Sequence, residues 1–114
     1  MKKFLGMLLL TICLPAYAFN LGFLQYSPAY YFTKNDWSIF EKATHTVLET
    51  GANDVKVQWK NPATGANGTI TPTAAESVNG QTCRNLKIFN TARHVSGETD
   101  YLCCKIKGEW KVVS

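Results

Sequence analysis

The hydrophobic pattern of this chain changes its period once, and that change limits the folds open to it. In residues 34–50, side chains suited to a core recur every three or four positions, which predicts one amphipathic helix. The stripe consists of Trp37, Phe40, Thr44, Val47 and Leu48. From residue 53 onward the period is two, which is typical of half-buried strands. The chain is therefore expected to be α+β, with one N-terminal amphipathic helix packed on an antiparallel β-meander of about four to five strands.

The helix carries sequence signals at both of its ends. Thr33 is a candidate N-cap, and Asp36 stands three residues further on, which is the spacing of a capping box. Gly51 suits the position that follows the last helical turn. His45 lies beside the apolar stripe, and no Asp, Cys or second His is spaced nearby to bind a metal with it. We interpret His45 as a bystander.

The strand signals of the second half come at short intervals, separated by turn residues. Val57 and Trp59 alternate with polar residues, Ile70 lies in a segment that ends near Pro72, and Leu86 and Ile88 are predicted to face inward. The sequence "HVSGE", residues 94–98, is predicted to be a turn. The expected strand segments are residues 55–59, 68–73, 83–90, 99–107 and 109–113.

The N-terminal eighteen residues have the three parts of a secretory signal. Lys2 and Lys3 precede an apolar run of about eleven residues, and Ala16-Tyr17-Ala18 is an A-x-A cleavage site. The run is shorter than the roughly 20 residues that cross a bilayer, and no later segment approaches that length. We expect residues 1–18 to be removed after Ala18. The mature chain, with no transmembrane helix, would then be exported to the periplasm, the outer membrane or the cell surface.

An aromatic segment separates the predicted signal from the helix. Residues 19–33 contain six aromatic side chains and no regular period. They are expected to form an arm laid over the core, or an exposed patch that contacts a partner or membrane surface. The predicted organisation is therefore a signal peptide at 1–18, an aromatic arm at 19–33 and an α+β domain at 34–114.

Charge and residue usage argue against several classes of function. The chain has 12 Lys and Arg against 8 Asp and Glu, a net charge of +4, and loss of Lys2 and Lys3 leaves +2. The basic residues are scattered, so no nucleic-acid footprint is present. Glu98 and Asp100 share one face of a strand, and we interpret that face as solvated. With two His residues and no Gly-x-Ser-x-Gly, we expect no enzyme, no metal and no cofactor.

The segment "NPATGANG", residues 61–68, is the best candidate for a ligand loop, and its chemistry fails that test. It has no Lys after its last Gly, as a phosphate-binding loop requires, and no acidic residue lies between Asp54 and Glu76 to bind calcium. Asn61-Pro62 favours a turn, and Asn67-Gly68 tolerates positive φ angles. We interpret the segment as a connection between two strands.

Three cysteines follow the predicted cleavage site: Cys83, Cys103 and Cys104. In an oxidising compartment one disulfide is expected, with one cysteine left over. Neighbouring residues of a strand point to opposite faces, so only one of Cys103 and Cys104 can face Cys83. Both pairings stay open on this argument.

Residues of the second half resemble a known family. The order begins with Trp59-x-Asn61-Pro62-x-Thr64-Gly65-x-x-Gly68 and Pro72, followed by Cys83-Arg84 and then by Cys103 ahead of Gly108-x-Trp110. It is similar to the C-terminal surface-antigen domain of bacterial envelope proteins, the type found in the rickettsial seventeen-kilodalton antigen. The resemblance covers roughly residues 35–113. Its motif residues are Trp59, Asn61, Pro62, Thr64, Gly65, Gly68, Pro72, Arg84, Gly108 and Trp110.

The resemblance implies a secreted, outer-membrane or surface-associated protein with no cofactor. Family members carry Cys-Arg where this chain has Cys103-Cys104, which implies Cys103 as the disulfide partner of Cys83 and Cys104 as a candidate free thiol. We expect a noncatalytic envelope domain that acts through its surface on an unknown envelope protein or on the outer-membrane surface. The alternative is a periplasmic inhibitor or protein-binding module that uses loop 61–68 to block a secreted enzyme.

Overall fold

The computed structural model describes residues 27–114, in which one long helix packs on one face of a six-stranded antiparallel sheet. The α+β prediction is thus confirmed. The predicted signal and residues 19–26 of the arm lie outside the described residues. No helix within 27–114 is both long and apolar enough to cross a membrane. The elements are a 3-10 helix (Pro28–Tyr31), α1 (Lys34–Thr50), β1 (Val57–Lys60), β2 (Asn67–Pro72), β3 (Glu76–Val78), β4 (Gln81–Ala92), β5 (Val95–Ile106) and β6 (Glu109–Val112).

Helix α1 begins and ends where the sequence predicts. The Thr33 hydroxyl accepts a hydrogen bond from Asp36 N at 3.0 Å, and Thr33 N donates to Asp36 Oδ2 at 2.8 Å, so the predicted capping box is confirmed. The predicted stripe faces the sheet, although Trp37 is only half-buried. The buried helix residues are Asp36, Phe40, Thr44, Val47 and Leu48.

Gly51 ends the helix for a reason other than backbone handedness. Its φ is −66°, an extended conformation open to other residues, so the left-handed C′ geometry that commonly selects glycine is absent. A Cβ at this position would lie 2.6 Å from the carbonyl oxygen of Val47 and 3.1 Å from its Cγ1. Gly51 is therefore required because the chain turns back closely over the last helical turn.

The sheet has the order β1-β2-β4-β5-β6, with β3 paired to β4 beside β2. Pro72 lies opposite Leu86, whereas Glu76 lies opposite Cys83, so β2 and β3 follow one edge of β4 with one extra residue between them. The sequence predicts the end of β2 at Pro72 correctly. It misses β3, which has three exposed residues and no hydrophobic alternation.

The β4–β5 connection differs from the prediction. Arg93 and His94 form a two-residue turn with φ values of 53° and 69°, and Ala92 pairs directly with Val95. Ser96 and Gly97 lie inside β5, so the predicted turn at 94–98 is wrong. Such turns usually contain Asn or Gly, and the Arg-His pair gives no such signal. The start of β1 also differs from the prediction of a strand from residue 55. The strand begins at Val57, and Val55, which is 51% exposed, precedes the paired residues.

The described part of the aromatic arm packs against the core. Phe32 is buried, and its ring contacts those of Trp37, Phe40 and Trp59 at centroid distances of 5.1, 5.9 and 5.5 Å. A Cβ on Gly97 would lie 3.1 Å from Cδ of Pro28, so the 3-10 helix crosses close to β5. Of the two interpretations of the arm, residues 27–33 follow the packed one, with Tyr30 exposed.

The disulfide joins Cys83 to Cys104, so the pairing of Cys83 with Cys103 is wrong and Cys104 is not a free thiol. The register places Cys83 directly opposite Cys104, with their Cα atoms 4.0 Å apart. Cys103 lies opposite Arg84, on the other face of the sheet and toward the helix. The two-residue turn at 93–94 sets this register, which is why the spacing of the cysteines alone did not reveal it.

We predict that Cys104→Ala exposes the thiol of Cys83 and lowers the free energy of unfolding by about 2–4 kcal/mol. Alkylation without reductant, followed by peptide mapping, identifies the labelled cysteine, and urea unfolding gives the stability. Cys103→Ala is the matched control, in which Cys83 should stay unlabelled. Labelling of Cys83 in the Cys103 variant would contradict the pairing.

Candidate functional site

The ten motif residues lie on several elements of the fold. They are distributed over the end of β1, the loop that follows it, β2, β4 and the β5–β6 hairpin, and their side chains or turns place polar groups against helix α1. Three separate contacts result. One lies at the start of the helix, and two lie at its end.

The loop after β1 is folded around Asn61. Asn61 N donates to Ala66 O at 2.8 Å, Gly65 N donates to Asn61 O at 2.8 Å, and Ala63 N donates to the Asn61 side-chain oxygen at 3.0 Å. Gly65 has a φ of +87°, which favours glycine. The loop is thus a closed turn in which Asn61 and Ala66 are buried, whereas Pro62 to Gly65 are exposed.

The loop holds the buried carboxylate of Asp36. Asn61 Nδ2 and Thr64 Oγ1 each donate to Asp36 Oδ1 at 2.7 Å, and Asn61 Nδ2 also lies 3.1 Å from Asn35 Oδ1. Burial raises the pKa of the Asp36 carboxyl, but hydrogen bonds from Thr33, Thr64 and Asn61 outweigh it and hold the pKa below its ordinary value. The first contact therefore joins the start of α1 to the Asn-Pro-x-Thr-Gly loop through an ionised carboxylate.

Trp59 and Gly68 set the strands beneath this loop. Trp59 Nε1 donates to the buried Asn90 side-chain oxygen at 2.9 Å. A Cβ on Gly68 would clash with Asn90 Oδ1 and with the carbonyl oxygen of Phe89, and would lie 2.8 Å from Trp59 Nε1. Glycine at position 68 therefore lets the indole cross β2 to reach β4.

Arg84 forms the second contact, beneath the end of the helix. Its Nη1 donates to the carbonyl oxygens of Val47 and Leu48 at 3.1 and 3.0 Å. Nη2 donates to Gly51 O and Asn53 Oδ1, each at 2.9 Å, and Nε donates to a carbonyl of the β2–β3 connection, Thr73 O, at 2.8 Å.

Arg84 donates five hydrogen bonds in total, and a guanidinium has five N–H donors. Arg84 is 6% exposed, and none of the ion pairs among residues 27–114 includes it. Its charge lies instead at the negative end of the helix dipole, where it binds the carbonyl oxygens of Val47 and Leu48 in the last turn. Arg84 acts as a C-terminal cap supplied by another element of the fold.

Trp110 forms the third contact, on the last turn of the helix. Trp110 Nε1 donates to Glu49 Oε2 at 3.0 Å, and Lys105 Nζ lies 3.1 Å from the same oxygen. Hydrogen bonds from Lys105 and Trp110 lower the pKa of Glu49. Gly108, with a φ of +82°, allows the tight β5–β6 turn that brings Trp110 alongside Lys105.

Pro62 and Pro72 have different surroundings. Pro62 is exposed on the loop, whereas Pro72 is buried at the end of β2, where its carbonyl accepts from Asp54 N at 2.7 Å. This bond ties the segment after the helix to the sheet. The remaining candidate, the acidic pair Glu98 and Asp100, is exposed on the sheet face away from α1, and Glu98 lies 3.9 Å from Lys87.

Sequence reasoning found the motif residues by resemblance but missed the groups that they bind. Asp36 was identified only as a capping residue, while Glu49, Asn53 and Asn90 were not singled out. No signal in the sequence marks a backbone carbonyl as the acceptor of a distant arginine. The polar side chains of this site form hydrogen bonds within the domain, between helix and sheet. No group of three or more metal-ligating side chains occurs in the part of the chain that the structure describes.

We predict that Arg84→Gln lowers the free energy of unfolding by about 3–5 kcal/mol, because an amide has two N–H donors in place of five and loses most of the buried bonds that join the end of the helix to the sheet. Arg93→Gln is the matched control at an exposed arginine and should change stability by less than about 0.5 kcal/mol. Urea unfolding measures both. Equal losses in the two variants would contradict the role of Arg84.

We predict a second, pH-dependent effect at Asp36. Its pKa is lower in the folded than in the unfolded state, so the unfolded state binds more protons and the stabilisation is lost as pH falls below about 4. Asp36→Asn should lower the free energy of unfolding at neutral pH. On acidification, the free energy of unfolding of this variant should fall less than that of the wild type. Asp100→Asn, at an exposed carboxylate, should follow the wild type. An unchanged acid slope in Asp36→Asn would contradict the ionised contact.

Comparison with known proteins supports one family. A profile described as "17 kDa outer membrane surface antigen" matches residues 46–111. A "17 kDa surface antigen" of Rickettsia bellii, strain RML369-C, is 31% identical over 86 residues, which is 71% of this chain and 52% of the relative, and a second Rickettsia bellii protein of the same description gives the same values. The chain spans about half the length of these curated relatives. No solved structure matches it.

The matched segment contains β1 to β5 and nearly all of β6, with the loop that binds Asp36, the arginine that caps the helix and the tryptophan that binds Glu49. The resemblance inferred from the motif residues is therefore confirmed, and the chain belongs to the 17 kDa outer membrane surface antigen family.

Proposed function

We propose that the protein is exported and acts without catalysis as a domain of the bacterial envelope or cell surface. The description of its family and the names of its relatives, surface antigens, support this location. The sequence pattern of residues 1–18 supports export. The Cys83–Cys104 bridge adds support, because structural disulfides form in oxidising compartments.

One observation carries the proposal that the domain is noncatalytic. The densest group of polar side chains in residues 27–114 donates and accepts inward, between helix and sheet. No buried side-chain nitrogen or oxygen in this part of the chain lacks a hydrogen-bond partner. Polar atoms aimed into a cleft toward a substrate are the usual mark of an active site, and here the candidate atoms are already bound to one another.

We further propose that the chain is organised as predicted, with a cleaved segment 1–18, an arm at 19–33 and the domain at 34–114. The packing of Phe32 into the aromatic core supports an arm that continues directly into the domain.

The inhibitor alternative has less support. Asn61 and Thr64 would be the polar contacts of an inserted tip, but both bind Asp36. Pro62, Ala63 and Thr64 are exposed at the tip, and the hydroxyl of Thr64 is the one that donates to Asp36. One saturable, stoichiometric complex with a secreted enzyme, broken by Pro62→Asp, would favour the inhibitor over the envelope domain.

Fractionation of cells that produce the full chain with a C-terminal tag tests the proposed function. We expect a processed protein that begins at Phe19 and is found in the periplasmic or outer-membrane fraction, as shown by mass spectrometry and by osmotic shock with high-salt washing of the membranes. Leu9→Arg interrupts the apolar run and should leave the chain unprocessed. Leu24→Arg, beyond the predicted cleavage site, should be processed like the wild type. An unprocessed wild-type chain in the cytoplasm would contradict the proposal.

A further inference from the structure

The charges of the described domain are unevenly distributed between its two ends. The end at which α1 begins contains residues 27–35, 60–67 and 91–96, and we call it the basic end. Asn61 binds Asn35, Lys60 lies opposite Asn67, and Asn67 lies opposite Thr91. The Arg93 guanidinium lies 5.6 Å from the centre of the Tyr31 ring. These contacts bring the three segments together.

The surface of the basic end has three exposed cations and no exposed acidic residue, while the carboxylate of Asp36 lies buried beneath the loop. The cations are Lys34, Lys60 and Arg93. At the opposite end of the domain, residues 49–56, 73–81 and 105–111 contain four Lys and four acidic residues, and the buried guanidinium of Arg84 lies beneath them. The opposite-end residues are Lys56, Lys105, Lys107, Lys111, Glu49, Asp54, Glu76 and Glu109. The exposed charges at the basic end are therefore all positive, whereas those at the opposite end have both signs.

Uncharged and aromatic residues are exposed at the same end as these cations. Pro62, Ala63 and Gly65 are exposed on the loop, and Tyr30 is 47% exposed beside Tyr31. Ser27, to which the aromatic sequence 19–26 is joined, belongs to the same end. Tyrosine side chains favour the interface between water and lipid, and cations beside them favour anionic headgroups.

We propose that the basic end docks on a bilayer surface that carries anionic lipid headgroups, an inference that rests on the proposed envelope location. The cations supply attraction, and Tyr30 with the Pro-Ala tip of the loop supplies shallow contact with the headgroup layer. Three cations that share one end of the domain with exposed apolar and aromatic residues fit a bilayer better than a nucleic acid, which selects a continuous basic stripe. The hydrogen bonds within the loop hold its tip in place for this contact.

The test uses the processed protein purified from producing cells, with vesicles of phosphatidylcholine alone or of phosphatidylcholine and phosphatidylglycerol. In flotation assays we expect binding to the anionic vesicles only, and weaker binding as salt rises. The variant Lys34→Gln/Lys60→Gln/Arg93→Gln should lose affinity on the order of 100-fold, from a few-fold for each cation. Tyr30→Ser should weaken binding less.

The matched control removes the same charge from the opposite end, as Lys56→Gln/Lys107→Gln/Lys111→Gln. It should change affinity by less than about threefold, and urea unfolding of both triple variants should show that they are folded. Equal losses in both variants would mean that only net charge matters and would overturn the proposal. So would binding to native envelope vesicles without binding to pure lipid, because a protein partner would then be responsible.

The two proposals fail in distinguishable ways. If the processed protein is found in the envelope fractions but does not bind anionic vesicles, the docking proposal is wrong and the proposed location stands. If the chain is unprocessed and cytoplasmic, the proposed location is wrong whatever the vesicles show.

Discussion

The buried guanidinium of Arg84 fixes the last turn of α1 to the sheet, and the arrangement of the domain depends on it. Its five donors reach the end of the helix, the segment after it and the connection between β2 and β3. A buried cation without a carboxylate is ordinarily costly, but here carbonyl groups at the negative end of the helix dipole surround it. In return, the guanidinium donates to oxygens of the last helical turn and of the two connections, which ties these segments together.

The contacts of Asp36 and Glu49 complement this interaction along the helix. Asp36 holds the first turn to the Asn61 loop, and Glu49 holds the last turn to Trp110. A single helix on one face of a sheet can rotate or slide if apolar packing alone holds it, because packing has little directional preference. Directional hydrogen bonds at both ends define one position. In this chain the motif residues therefore specify how the helix docks on the sheet.

The sequence predicted the parts of the fold that depend on local chemistry. The capping residues gave the bounds of α1, and alternation gave β2, the core of β4 and β6. The disulfide was predicted wrongly because its partner depends on the register of two long strands, which a turn of Arg93 and His94 sets without Gly or Asn. Gly51 was assigned for its backbone freedom, yet it is needed for a close approach to Val47. The acceptors of Arg84 are mostly backbone carbonyls, which every residue has, so no pattern of side chains could predict them.

Native-state hydrogen exchange tests most directly whether the helix and the sheet form one cooperative unit. The amides of Phe40 to Leu48 should exchange with the same free energy as those in the centre of β4, and Arg84→Gln should separate the two, with the helix exchanging at lower free energy. If the wild-type helix already exchanges by a local opening while β4 stays protected, the contacts at its ends do not hold it, and the account given for the motif residues is wrong.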